Sequence, residues 1–148
     1  KALVQRVKYA RVTINGKETR EIGPGMLILY GCADDDTLDI CPKLAQKTAM
    51  LRIFEDSEGK MNISALDLGY SAMVVSQFTL LANTKKGNRP SFIQAAHPDL
   101  AEPLYELLNQ VLQNEYHIPV ATGRFGADMQ LQFNNDGPVT IIIDSKVV

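Results

Sequence analysis

The sequence predicts an α+β fold: a largely antiparallel β-sheet with barrel-like closure, carrying two main helices. Three observations support this. Strand-like runs open the chain at residues 2–14, 17–22 and 26–33, separated by turn residues. Two stretches of helical periodicity, 38–51 and 98–116, stand apart from them. Strand-like runs then return between 118 and 144. Runs of strands with segregated helices are the pattern of an α+β layer architecture rather than of alternating βαβ units. At 148 residues, one domain spanning 1–148 is expected, large enough to bury a core.

In the first run, Leu3, Val4, Val7, Val12 and Ile14 alternate with Gln5, Arg6, Lys8, Arg11 and Thr13. The alternation slips around Tyr9-Ala10, which marks a bulge. Asn15-Gly16 predicts a type I′ hairpin into 17–22. Gly23-Pro24-Gly25 is a second turn, and the nearly all-apolar 26–33 reads as a strand covered on both faces, completing a three-stranded meander. Asp34-Asp35-Asp36-Thr37 supplies N-cap candidates. In the helix 38–51, Leu38, Cys41, Leu44, Ala45, Thr48 and Leu51 fall at helical spacing. Pro42 leaves two readings, a start close to Pro42 or a kink there.

Residues 52–54 read as a short extended segment, 55–60 as a polar loop and 62–69 as irregular. Residues 71–80 are the central-strand candidate, apolar through Met73-Val74-Val75 and abruptly polar at Ser76-Gln77-Phe78-Thr79. Polar residues at the end of a buried strand are where sites tend to be built. The loop 83–90 carries Lys85, Lys86 and Arg89 and reads either as a solvated loop or as an anion contact. In 98–116, Leu100, Leu104, Leu107, Leu108, Val111 and Leu112 form one apolar stripe, with Pro98 in the first turn. A short strand at 118–121, a turn at 123–126 and a strand at 127–133 lead to Asn134-Asn135-Asp136-Gly137-Pro138. That stretch is turn chemistry followed by a rigid kink, placed before a last strand at 139–144.

Composition excludes several classes. A content of 45% hydrophobic and 22% charged residues is that of a soluble globular protein, with the cytoplasm as the expected compartment. No apolar run reaches the length of a membrane span, and no signal-peptide core precedes the first strand. A net charge of −2 excludes a general polyanion or DNA binder, but a local cluster can still hold one phosphate-bearing end. Cys32 and Cys41 form no C-x-x-C and read as reduced packing residues. His97 and His117 lie outside any metal-ligand spacing, so neither a metal nor another cofactor is expected. Ser76 lacks the G-x-S-x-G elbow, Thr79 has no base beside it in sequence, and neither dinucleotide nor P-loop glycine patterns occur. The residues alone thus define a polar strand end, a basic loop and a Gly-Pro kink, without a reaction.

Taken together, Ser76-Gln77-Phe78-Thr79-Leu80 and Asn135-Asp136-Gly137-Pro138-Val139-Thr140 resemble the two signature motifs of D-aminoacyl-tRNA deacylases. Shorter matches in the same order run along the chain, among them Gln5-Arg6-Val7, Gly59-Lys60-Met61-Asn62, Arg89-Pro90-Ser91-Phe92 and Thr122-Gly123-Arg124-Phe125-Gly126. Pro42, and Gly31-Cys32-Ala33 in place of Gly-Val, depart from the pattern. The resemblance implies a homodimer in which Ser76, Gln77, Phe78 and Thr79 of one chain meet a cis Gly137–Pro138 of the other, braced by Arg6. It also implies hydrolysis of the ester of D-aminoacyl-tRNA, with rejection of L substrates and acceptance of glycyl-tRNA. Backbone N–H groups around Phe78 and Thr79 would stabilise the oxyanion with help from the tRNA 2′-OH, and a covalent Thr79 is the alternative. Lys85, Lys86 and Arg89 become candidates for acceptor-end phosphates, and Met129 either lines the adenosine pocket or packs in the core. Two further readings are an L-alanyl-tRNA editing deacylase and a non-catalytic RNA-end binding module. Ser76 and Phe78 argue against the first, for which a Pro-Gln-Ala-Thr-like motif is expected.

Overall fold

The computed structural model describes residues 1–148. Strand β1 (Ala2–Ile14) is the spine of the sheet. Asn15 and Gly16 have φ of 51° and 68°, and the Lys17 amide donates to the Ile14 carbonyl at 3.0 Å, which is the predicted I′ turn. The strands that follow, β2 (Glu18–Ile22) and β3 (Gly25–Tyr30), both pair with β1 and not with each other. The expected meander is therefore corrected. With 13 residues, β1 is long enough for two short strands to share one of its edges, β2 against Ala10–Ile14 and β3 against Ala2–Val7.

The other edge of β1 is taken by β8 (Met129–Ile143) in antiparallel register. On the far side of β3 the sheet continues in parallel with β6 (Ser71–Ser76) and β7 (Val120–Thr122). The sheet curls so far that its two ends touch. Arg20 on β2 donates from Nη1 to the Thr122 carbonyl at 2.7 Å and to Thr122 Oγ1 at 2.9 Å on β7, while Glu18 ties Arg20 to Arg124. No helix is long and apolar enough to cross a membrane.

The bulge expected near Tyr9-Ala10 lies between Val7 and Ala10, where β1 holds one residue more than β8. It inverts the alternation. Before it, Ala2 and Val4 face a large core under the helices, together with Met26, Ile28, Tyr30 and Val74. After it, Ala10, Val12 and Ile14 join Val7 in a smaller cluster with Leu27, Met73 and Val75. One extra residue thus lets a single strand feed both cores.

Helix α1 (Ile40–Ala49) places Pro42 in its first turn, where the missing N–H would have had no intrahelical partner. Of the two readings of Pro42, the late start is the one found. The aspartates before α1 do not cap it: Asp36 is buried and accepts from the Ala33 amide at 2.8 Å, and Asp39, the cap residue, accepts from the Thr37 hydroxyl rather than from a helix amide. Helix α3 (Pro98–Asn114) is capped by His97, whose Nδ1 accepts from the Asp99 amide, and it buries Leu104, Leu108 and Leu112 against the sheet. Complete burial of each leucine stabilises the fold by about 1.5–3 kcal/mol.

The segment read as irregular is instead ordered. A two-stranded ribbon, β4 (Phe54–Glu55) and β5 (Met61–Ile63), leads into the one-turn helix α2 (Ala65–Leu68). Ser64 and Asp67 form a reciprocal capping box at its start.

Candidate active site

The buried strand β6 ends at Ser76, earlier than the expected end at residue 80. Gln77 donates its amide to the Tyr30 carbonyl at 2.8 Å, and the chain then folds into a one-turn 3₁₀ helix, Phe78–Leu81. This turn sits on Gly31. A methyl group there would lie 2.7 Å from the Gln77 carbonyl and 2.8 Å from Leu81 Cδ2, so only a hydrogen at this position admits the turn. The first amides of a helical turn, here those of Phe78 and Thr79, have no carbonyl within it to donate to. Gln77 does not cap them, because its side-chain amide donates instead to Thr79 Oγ1 at 2.6 Å.

The strand end opens onto a cleft of about 610 Å³, mostly apolar, between the first turns of α3 and the start of β8. Ser76, Gln77, Phe78 and Met129 line it, while Thr79 does not. Phe78 and Phe92 meet edge to face at 5.0 Å on one side, and Tyr105 and Phe125 lie 6.1 Å apart on the other. Met129 answers to both earlier readings, since it faces the cleft and also packs on the smaller core cluster.

The cleft holds little that could act as a nucleophile. Burial pushes the Cys32 thiol up to about 11 and the Tyr30 and Tyr105 hydroxyls above their ordinary range, so all three are neutral at pH 7. His97 and His117 are exposed and outside it, and Asp128 brings its one carboxylate. No group of His, Cys, Asp and Glu residues is placed to hold a metal ion. What remains is main chain, the Ser76 hydroxyl, the Gln77 amide and the exposed Asp128 carboxylate around a mostly apolar recess.

Gly137 and Pro138 are not on this cleft. The expected turn before them is absent: β8 runs unbroken through residues 134–138, and the Gly137–Pro138 peptide is cis. Strand continuity survives because side chains replace the missing ladder bonds. Asn134 Oδ1 accepts from the Lys8 and Tyr9 amides at 2.8 and 3.3 Å, filling the β1 bulge. Arg6, buried on β1, donates from Nε to the Asp136 carbonyl at 2.9 Å and from Nη1 to the Ile53 carbonyl at 2.8 Å. Gly137 and Pro138 form the exposed crest above it.

Lys85, Lys86 and Arg89 are exposed and form no ion pair. Their loop is pinned at its base by a pair of 2.9 Å bonds between Asn83 and Ser91. Ser91 adjoins Phe92, so the base of this loop joins the cleft wall. The aromatic wall, Phe92 with Tyr105 and Phe125, is the part of the site that residue-by-residue reading missed. Each sits in a different element, and no spacing rule connects them.

Together these features define a small curled α+β sheet whose buried strand end opens on a mostly apolar cleft. The chain belongs to the D-Tyr-tRNA(Tyr) deacylase family, whose model matches residues 3–144. It is 53% identical to a D-aminoacyl-tRNA deacylase of Chloroflexus aurantiacus, over 98% of this chain and 90% of the relative. It is 50% identical to one of Lactobacillus helveticus, over 97% of this chain and 99% of the relative. Among solved structures it resembles the c-Myc DNA unwinding element binding protein, with 40% identity, a TM-score of 0.88 and 95% coverage of both chains. A probable eukaryotic D-amino acid tRNA deacylase, at 16% identity and a TM-score of 0.77, shares the fold.

Proposed function

We propose that the protein hydrolyses the ester joining a D-amino acid to the terminal adenosine of tRNA, releasing both. The observation that carries this reading is a strand end, Ser76–Thr79, opening on a mostly apolar cleft whose one carboxylate is the exposed Asp128, in a chain about half identical to D-aminoacyl-tRNA deacylases. An aminoacyl ester needs no strong nucleophile. It is activated already, and the neighbouring ribose 2′-OH can position water or assist its attack. The protein's task is to hold the ester and stabilise the oxyanion as it forms. The Phe78 and Thr79 amides do this, with Ser76 hydrogen-bonding the ester region.

In a homodimer, Gly137–Pro138 of one protomer reaches the cleft of its partner. Main chain at that position fills the space an L side chain needs and leaves D-aminoacyl and glycyl esters free to bind. Such a filter does not depend on side-chain fit, which discriminates weakly between similar substrates. The decisive assay incubates the protein with D-tyrosyl-, L-tyrosyl- and glycyl-tRNA. Release from the first and third but not the second is the expected result, and binding of all three without release would leave only an RNA-end binding module.

Thr79 is a positioning residue in this scheme, because its hydroxyl meets only the Gln77 amide, which cannot serve as a base. Thr79→Ala is therefore expected to retain D-tyrosyl-tRNA hydrolysis within about tenfold of the unaltered protein. A loss of several orders of magnitude in a folded, tRNA-binding variant would restore Thr79 as a covalent nucleophile.

The exposed cations of the pinned loop contact acceptor-end phosphates. Neutralising Lys85, Lys86 and Arg89 together should flatten the dependence of log K on log salt by about two units, with the D-to-L preference intact. An unchanged slope would make the loop a solvated surface feature.

A further inference from the structure

Arg6 holds the Gly137–Pro138 segment from below, at the Asp136 carbonyl. A second set of bonds holds it from the side. Asn135 Oδ1 accepts from the Val139 amide at 2.8 Å, and Asn135 Nδ2 donates to Thr140 Oγ1 at 2.9 Å. One side chain thus spans the two exposed residues and fastens the strand on their far side. Gln5 Nε2 adds a bond to the same Thr140 hydroxyl at 3.3 Å, linking the clasp to β1. The ladder cannot supply this support, because the register between β1 and β8 jumps from Gln5–Thr140 to Val7–Asn135, leaving residues 136–139 without paired partners on β1.

We infer that Asn135 and Thr140 form a clasp that fixes where Gly137–Pro138 stands, making them positioning residues for chiral selection rather than for ester cleavage. The inference rests on the proposed role of Gly137–Pro138 as the filter. Its physical basis is that a steric filter made of main chain rejects only what it is held rigid enough to exclude. Two properties follow from the geometry. Within its own chain the clasp bonds to neither Ser76 nor Phe78, so its loss leaves the residues assigned to cleavage in place. It also sits on an exposed part of β8, so its loss removes bonds that water can replace.

The test compares kcat/KM for D-tyrosyl- and L-tyrosyl-tRNA in the unaltered protein and four variants. Asn135→Ala removes both bonds and Thr140→Val removes the hydroxyl. Asn135→Asp keeps the acceptor for Val139 and lets the Thr140 hydroxyl donate, and Thr140→Ser keeps the hydroxyl. The D-to-L ratio should fall about tenfold or more in Asn135→Ala and Thr140→Val, through a rise in L-ester hydrolysis, and stay near the original in the two conservative variants. General destabilisation lowers both rates and leaves the ratio alone, so the ratio separates positioning from folding. Should Asn135→Ala fail to fold, Thr140→Val against Thr140→Ser decides the matter. An unchanged ratio in both disruptive variants overturns the clasp and leaves the filter standing. Equal cleavage of both esters by the unaltered protein overturns the filter, and the clasp with it.

Discussion

Arg6→Ala is expected to cost the fold about 3 kcal/mol and to remove most of the discrimination between D- and L-tyrosyl-tRNA. The guanidinium is buried and joins two places far apart in sequence, the Ile53 carbonyl ahead of β4 and the Asp136 carbonyl on β8. Alanine leaves both carbonyls without their donor and opens a void beneath the kink. Lysine is not a remedy, because one ammonium on a flexible stem cannot serve both acceptors in the fixed geometry of a guanidinium. Urea unfolding reads the first effect and paired single-turnover assays read the second. A folded Arg6→Ala protein with unchanged D-to-L preference would separate the arginine from selectivity and leave it a structural residue only.

Gly31→Ala is expected to lower kcat/KM for D-tyrosyl-tRNA by about 100-fold while costing only about 1–3 kcal/mol of stability. The added methyl meets the Gln77 carbonyl, Leu81 Cδ2 and Leu80 Cβ, the last at 3.0 Å, so the turn Phe78–Leu81 must move outward to admit it. The same turn carries the two amides assigned to the oxyanion. Shifting such donors by a fraction of an ångström weakens transition-state stabilisation far more than it weakens packing. A folded Gly31→Ala protein with full activity would mean that the oxyanion donors lie elsewhere.

Much of the architecture is visible in the sequence wherever one local rule governs. Asn15-Gly16 can make a I′ turn and little else at such low cost, and it does. The leucine stripe of 98–114 has one way to bury itself. Reading fails where partners distant in sequence decide. Nothing local in 18–30 says that β2 and β3 will divide one edge of β1, because that choice depends on β8 having taken the other. The segment 134–138 looks like a turn because Asn, Asp, Gly and Pro favour turns. It runs as strand because Arg6, Lys8 and Tyr9, more than a hundred residues earlier, supply the bonds. Ser64-x-x-Asp67 was legible as a capping box and marks α2, a signal present but unread.

At the candidate site the polarity change at Ser76 pointed to the right stretch, although the strand was expected to run on to residue 80 and ends at Ser76 itself. Motif resemblance, not local chemistry, joined this stretch to Gly137–Pro138. The physical reason is plain: the two regions lie on different surfaces of one chain, so no pairing between them exists in the monomer for a sequence pattern to reflect.

The bulge at Lys8-Tyr9 carries an evolutionary consequence. Both residues are exposed, and their backbone amides rather than their side chains engage Asn134. Their identity is therefore free to drift. Their number is not, because losing one residue would turn Ala10, Val12 and Ile14 out of the smaller core and Arg11 and Thr13 into it. Across descendants of this chain, the segment between Val7 and Ala10 should vary in composition while keeping its length.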